Sequence, residues 1–241
     1  MKIASLLQVE WLKMKKTNVW LLSLLSPAIA TIAGLNMNFP NSPEPWHDVL
    51  GIMVLVHALL FFPLLVGVYS AFVCRFEHLD GGWKQLLSLP VTRLSVIFSK
   101  WLVVMGLLTV TQIILLAGCM TIGMIKGFGS PFPWELAIQF LIGGTLACTP
   151  LVILQMWFST IWSSFAAPFT IAVIFTLPNI LVANSEDFAP YYPWVQPFFA
   201  MFPSGENASF YVSQTTLWTV ILISTIVFSL IGSIYIKRKV F

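Results

Sequence analysis

The chain has 241 residues, of which 58% are hydrophobic and only 9% charged, with a formal net charge of +3. So little polar surface cannot clothe a water-soluble domain, which excludes an ordinary soluble enzyme or binding module, and the slight basicity calls for no nucleic-acid partner. Cys74, Cys119 and Cys148 are isolated and lack CxxC spacing, so they read as apolar fillers rather than a zinc site or a disulfide framework.

The chain opens with a charged leader, residues 1–16. At about 100° per residue, Ile3, Leu6, Leu7, Trp11 and Met14 share one face, which predicts an interfacial helix whose lysines meet anionic lipid. Val9 and Leu12 interrupt the polar side, and Glu10 falls within the apolar face. Glu10 either pairs locally with Lys13 or reaches the charged loop at 75–100. No clear small-residue cleavage site follows the leader, so no cleavable signal peptide is expected.

A bilayer core of about 30 Å needs roughly 20 apolar residues per helix. Candidate spans lie at 19–35, 49–73, 101–125, 134–160, 165–183 and 217–236, the first being short. They predict an all-α integral membrane domain and argue against a β-barrel. Pro27, Pro63, Pro150, Pro168 and Pro178 lie inside spans, where kinks rather than breaks are expected. His57 reads as a neutral, helix-packing histidine. Gly123 with Gly127, and Gly143 with Ala147, give the spacing of close helix contacts.

Between the second and third spans, Asp80 can cap a helix of about two turns that Pro90 stops, with Trp83, Leu86 and Leu87 on one side. So short a helix is marginal alone in water. Its stripe either docks on a partner or folds back on the chain's own ends or on lipid. Residues 184–214 are too aromatic for a solvated linker, and Pro190, Pro193, Pro197 and Pro203 forbid one straight helix there. Short interfacial pieces are expected.

Lys and Arg favour the cytoplasmic side of span ends. Lys2, Lys13, Lys15, Lys16, Arg75, Lys84, Arg93, Lys100, Lys237, Arg238 and Lys239 fall on one side and Lys126 alone on the other. Both termini are therefore expected in the cytoplasm of a plasma-membrane protein. No GxxxxGK followed by Ser or Thr occurs, so ATP would be handled by another chain. No charged residue is expected deep in a span, which weighs against a proton-coupled secondary transporter. No nucleophile with a base within reach is visible, which weighs against an intramembrane enzyme.

The order of elements, from leader helix through six spans with a docking helix after the second and an aromatic loop before the last, resembles the ABC-2 type permeases. Within that group, EHLDGGWKQLLSLPVTR (Glu77 to Arg93) with Lys100, and Glu10, Trp11, Leu12 and Lys13 in the leader, resemble the lantibiotic-immunity permeases. The resemblance implies that Asp80 to Leu89 is the coupling helix. Trp83, Leu86 and Leu87 would anchor it in a cytoplasmic ATP-binding subunit, with Lys84 and Arg93 at the rim. Glu77 would tie this region to the leader through Lys13 or Lys15, and the outer loop would carry re-entrant helices. ATP and magnesium would sit on the partner, with no cofactor, metal or catalytic residue on this chain. A second permease, identical or related, would complete the membrane unit, and the cargo would be an amphipathic peptide expelled to give immunity. The alternatives are a permease for another lipophilic drug or lipid, a secondary transporter, and a membrane-anchored sensor or scaffold.

Overall fold

Apolar segments in lipid must satisfy their backbone internally. In the computed structural model, which describes residues 3–38, 42–79, 81–202 and 212–239, all regular structure among the described residues is helical. Among the described residues six stretches are long and apolar enough to cross a membrane: Val19–Asn36, Pro45–His78, Arg93–Lys126, Trp134–Ile161, Ala166–Ala183 and Gln214–Arg238. The chain is a multi-pass membrane protein.

The leader is α1 (Ile3–Lys16), and a 3-10 turn at Val19–Leu21 leads into α2 (Leu22–Asn36). The second span is α3 (Pro45–Val56), a π-turn at His57–Phe61, and α4 (Phe62–His78). Short α5 (Gly82–Leu87) precedes the third span, α6 (Arg93–Lys126). The fourth is α7 (Trp134–Ala147) with α8 (Thr149–Ile161), and the fifth is α9 (Ala166–Thr176) with α10 (Asn179–Ala183). Short α11 (Gln196–Met201) lies before α12 (Gln214–Arg238).

Local signals set these ends. The Thr92 hydroxyl accepts from the Ser95 amide at 3.2 Å, which starts α6 well before position 101. Lys100 therefore lies two turns inside the helix, just ahead of the apolar stretch read at 101–125 and not deep in the span. At the far end of α6, Gly127 adopts φ 67°, the left-handed conformation that closes helices, rather than lining a helix contact. Gly123 instead gives room to the Trp46 indole, and Gly143 to the Ala200 carbonyl of α11.

The π-turn has a specific cause. Pro63 has no N–H, so the Leu59 carbonyl loses its usual helical donor, while the Phe62 amide bonds back to His57. The Asn179 side-chain amide, following Pro178 in the fifth span, donates to Leu59 O at 2.8 Å and to Trp194 O at 3.1 Å. One side chain thus ties two proline-disturbed spans to the segment before the last span. Nearby, Ser26 Oγ lies 2.6 Å from His57 Nδ1, and Ser23 Oγ lies 2.7 Å from Tyr69 Oη, joining α2 to the second span.

Helix α2 packs on α6 and α3, α4 packs between α8 and α9, and α12 lies against α8. Trp194, Phe198, Phe199 and Met201 are buried, so α11 enters the bundle and packs on α7 rather than lying flat on a surface. Outward faces carry Ile113, Leu181, Leu222 and Leu230, apolar groups suited to lipid.

Candidate functional site

The leader, the end of α4, the start of α6 and the short helix α5 meet at one end of the bundle. Leu6, Glu10 and Met14, spaced by four, form the buried line of α1, while Ile3, Trp11, Val9 and Leu12 stay exposed. The buried stripe is therefore turned from the apolar face read in the sequence, because Glu10 faces into the bundle.

Glu10 meets two charged partners there, Lys13 and Lys100. Its Oε1 lies 3.2 Å from Lys13 Nζ and its Oε2 accepts from Lys100 Nζ at 2.7 Å. Glu77 at the end of α4 completes a ring, with Oε1 2.5 Å from Lys13 Nζ and Oε2 2.8 Å from Lys100 Nζ. Lys100 also donates to the Val73 carbonyl at 2.9 Å. Lys100 is 0% exposed, Glu10 2% and Glu77 3%, while Lys13 keeps one side in solvent. Two carboxylates and two ammonium groups cancel in charge, and each acid receives both lysines. That reciprocity allows such ions to be desolvated together. The two sequence readings of Glu10, a local pair and a reach across to the loop, coexist in one network. Lys100 is the member that residue-by-residue reading missed as a partner. Its signal was a lysine flanked by apolar residues just ahead of a span.

The clasp sits above α5. Gly81 takes φ 72° at the position before the helix, and α5 runs for six residues. Asp80, the expected cap, lies outside the described residues, as does the side chain of Leu87. Trp83 is 4% exposed and packs with Leu6 of the leader and Val96 of α6, and Leu86 lies partly buried beside them. Trp83 therefore faces into the chain, the fold-back arrangement that the sequence left open, instead of outward as an anchor. Physically, the leader supplies through Leu6 the apolar cover that so short a helix lacks. The exposed face of α5 and its exit carries Lys84, Gln85, Ser88 and Leu89.

Arg93, expected at a partner rim, donates through Nη1 to the carbonyls of Ile236 at 2.9 Å, Lys237 at 3.1 Å and Lys239 at 2.6 Å. It thereby caps the end of α12. Lys239 in turn reaches the carbonyls of Thr160 and Ile161, and partial burial lowers its pKa from the usual lysine value. The leader, α5 and the end of the last span are thus tied together. At the opposite end Trp46 Nε1 donates to Ser130 O at 3.0 Å, and Lys126 bonds the Met37 carbonyl.

Among the described residues no group of His, Cys, Asp and Glu has the arrangement of a metal site. The assembly is a charge-neutral ionic clasp joining α1, α4 and α6 beside a short helix that packs on them through Trp83.

A family model described as "ABC-2 family transporter protein" matches residues 6–179, which includes most of the leader, the clasp and α5. The bacitracin transport permease protein BCRB of Bacillus licheniformis is 26% identical over 164 residues, spanning 65% of this chain and 76% of that protein. No solved structure matches.

Proposed function

Because this chain belongs to the ABC-2 transporter family, we propose that its clasped α5 is the coupling helix through which a separate ATP-binding subunit drives export. The single observation carrying this reading is the way the leader, α4 and α6 converge on the ion ring of Glu10, Lys13, Glu77 and Lys100 beside α5. A push on a short helix becomes a movement of spans only if the helix is anchored to them. Trp83 would anchor α5 to its own chain, and Lys84 with Leu89 would meet the ATPase, with Leu86 between the two surfaces. Both termini and α5 would be cytoplasmic, in keeping with the basic residues at that end. Closure of two ATPases on nucleotide would shift the population of a two-state bundle, built from two permease copies or related permeases.

The relative's name points to a peptide antibiotic as cargo, and the leader and loop wording points to a lantibiotic. An amphipathic peptide expelled from the membrane fits both. The test is co-purification of the tagged chain with ATP-binding subunits from its own cells, together with survival under a lantibiotic and under bacitracin. Lys84→Glu with Leu89→Asp should leave insertion intact but reduce ATPase recovery by more than about tenfold, the effect of roughly 1.4 kcal/mol or more lost at a contact, and abolish survival. Unchanged recovery of the ATPase would remove α5 from the coupling role. Sensitivity to lantibiotic with retained bacitracin resistance would assign the cargo to the other class.

A further inference from the structure

We propose that a slot between α6, α8 and α12 is a binding site for one anionic phospholipid. It extends over a volume of about 460 Å³, within the range of small-molecule sites. Its walls are apolar and aromatic, with Phe98 and Trp101 on α6, Ile153 and Trp157 on α8, and Phe228 and Ile236 on α12. Among the described residues no acidic group lines it. Along α12 it runs from Thr225 to Ile236, roughly 16 Å at 1.5 Å per residue, about half of the roughly 30 Å hydrocarbon core. That is the depth of a single leaflet, which matches an acyl chain better than a compact drug.

Charge selects the headgroup. The slot ends at Leu94 and Ile236, whose neighbours are Arg93, Lys237 and Arg238. Lys237 and Arg238 are exposed, and Arg93 bridges the two walls at the mouth through the carbonyls of Ile236, Lys237 and Lys239. Ser229, Ser233 and Lys237 follow at intervals of four on α12, so two hydroxyls and then a cation lie on one face from slot to mouth. This order suits the glycerol esters and phosphate of a lipid. Basic sites between transmembrane helices take anionic headgroups, and a cationic peptide would be repelled at this mouth. The assignment is independent of what the transporter exports.

Gly232 provides a clean probe, since a Cβ built there meets nothing within 4 Å. The purified full-length chain, offered equimolar phosphatidylglycerol and phosphatidylcholine in detergent, is examined by native mass spectrometry. Wild type should retain one phosphatidylglycerol in excess. Lys237→Gln with Arg238→Gln should erase the preference, at about fivefold for each cation. Gly232→Phe should lose bound lipid of both kinds. The double variant changes only the exposed tip of α12, so it decides the matter even if the Phe variant fails to insert. Equal retention of both lipids by wild type, or a preference unaffected by removing both cations, overturns the proposal. So does a Ser229→Cys chain that crosslinks to a second copy while no lipid is retained, which would make the slot a contact between permeases.

Discussion

Lys100 illustrates how a single residue can set the tolerance of a whole region. It is fully buried and has Glu10, Glu77 and the Val73 carbonyl around it. Replacing it by Met removes the charge and leaves two desolvated carboxylates sharing Lys13 alone. Breaking a buried ionic network in this way costs roughly 3–5 kcal/mol, so Lys100→Met should sharply lower the apparent melting temperature in detergent. Adding Glu10→Gln and Glu77→Gln to Lys100→Met should recover part of that loss, because the unpaired charges are then gone. A Lys100→Met protein that melts with the wild type would show that the ring does not hold the region. Glu10, Lys13 and Glu77 could be picked out from their positions in the sequence, whereas the depth of Lys100 could not. Its burial depends on the N-terminal extension of α6 and on the approach of the leader, both of which are tertiary facts.

Among elements, the second span depends on a repair made from outside it. Asn179 donates to the Leu59 carbonyl that Pro63 leaves without a helical donor. Asn179→Ala should therefore destabilise the protein by about 1–3 kcal/mol, the cost of an unsatisfied buried group, read as a lower melting temperature. Pro63→Ala in the same chain restores a backbone N–H within reach of Leu59 and should return much of the loss. Failure of that rescue would mean that Asn179 acts mainly through Trp194 instead. The short α5 shows the same dependence. Its six residues cannot persist alone, and Trp83 holds it in place by packing on Leu6 and Val96. The apolar stripe was visible in the sequence, but not which body it would cover. Amphipathicity says that a face will be buried and is silent about the partner.

Across the whole molecule, the leader, α5 and the end of α12 gather at one end, while Trp46, Lys126 and Ser130 mark the other. Placing the first end in the cytoplasm predicts that Lys84→Cys reacts with an impermeant maleimide only in opened cells. Trp134→Cys, at the opposite end and 63% exposed, should react in intact ones. The reverse pattern would invert the orientation and remove α5 from reach of any cytosolic ATPase. The sequence by itself determined the membrane class, the six apolar stretches and the family wording around Glu77 to Arg93, because hydropathy, span length and local motifs are properties of neighbouring residues. Only the tertiary structure decided that Trp83 faces inward, that Lys100 closes the ionic ring, that Arg93 caps the last helix and that a slot opens beside α12. Each of these joins residues brought together from distant parts of the chain, and burial, unlike helical period, is settled by what comes to lie opposite.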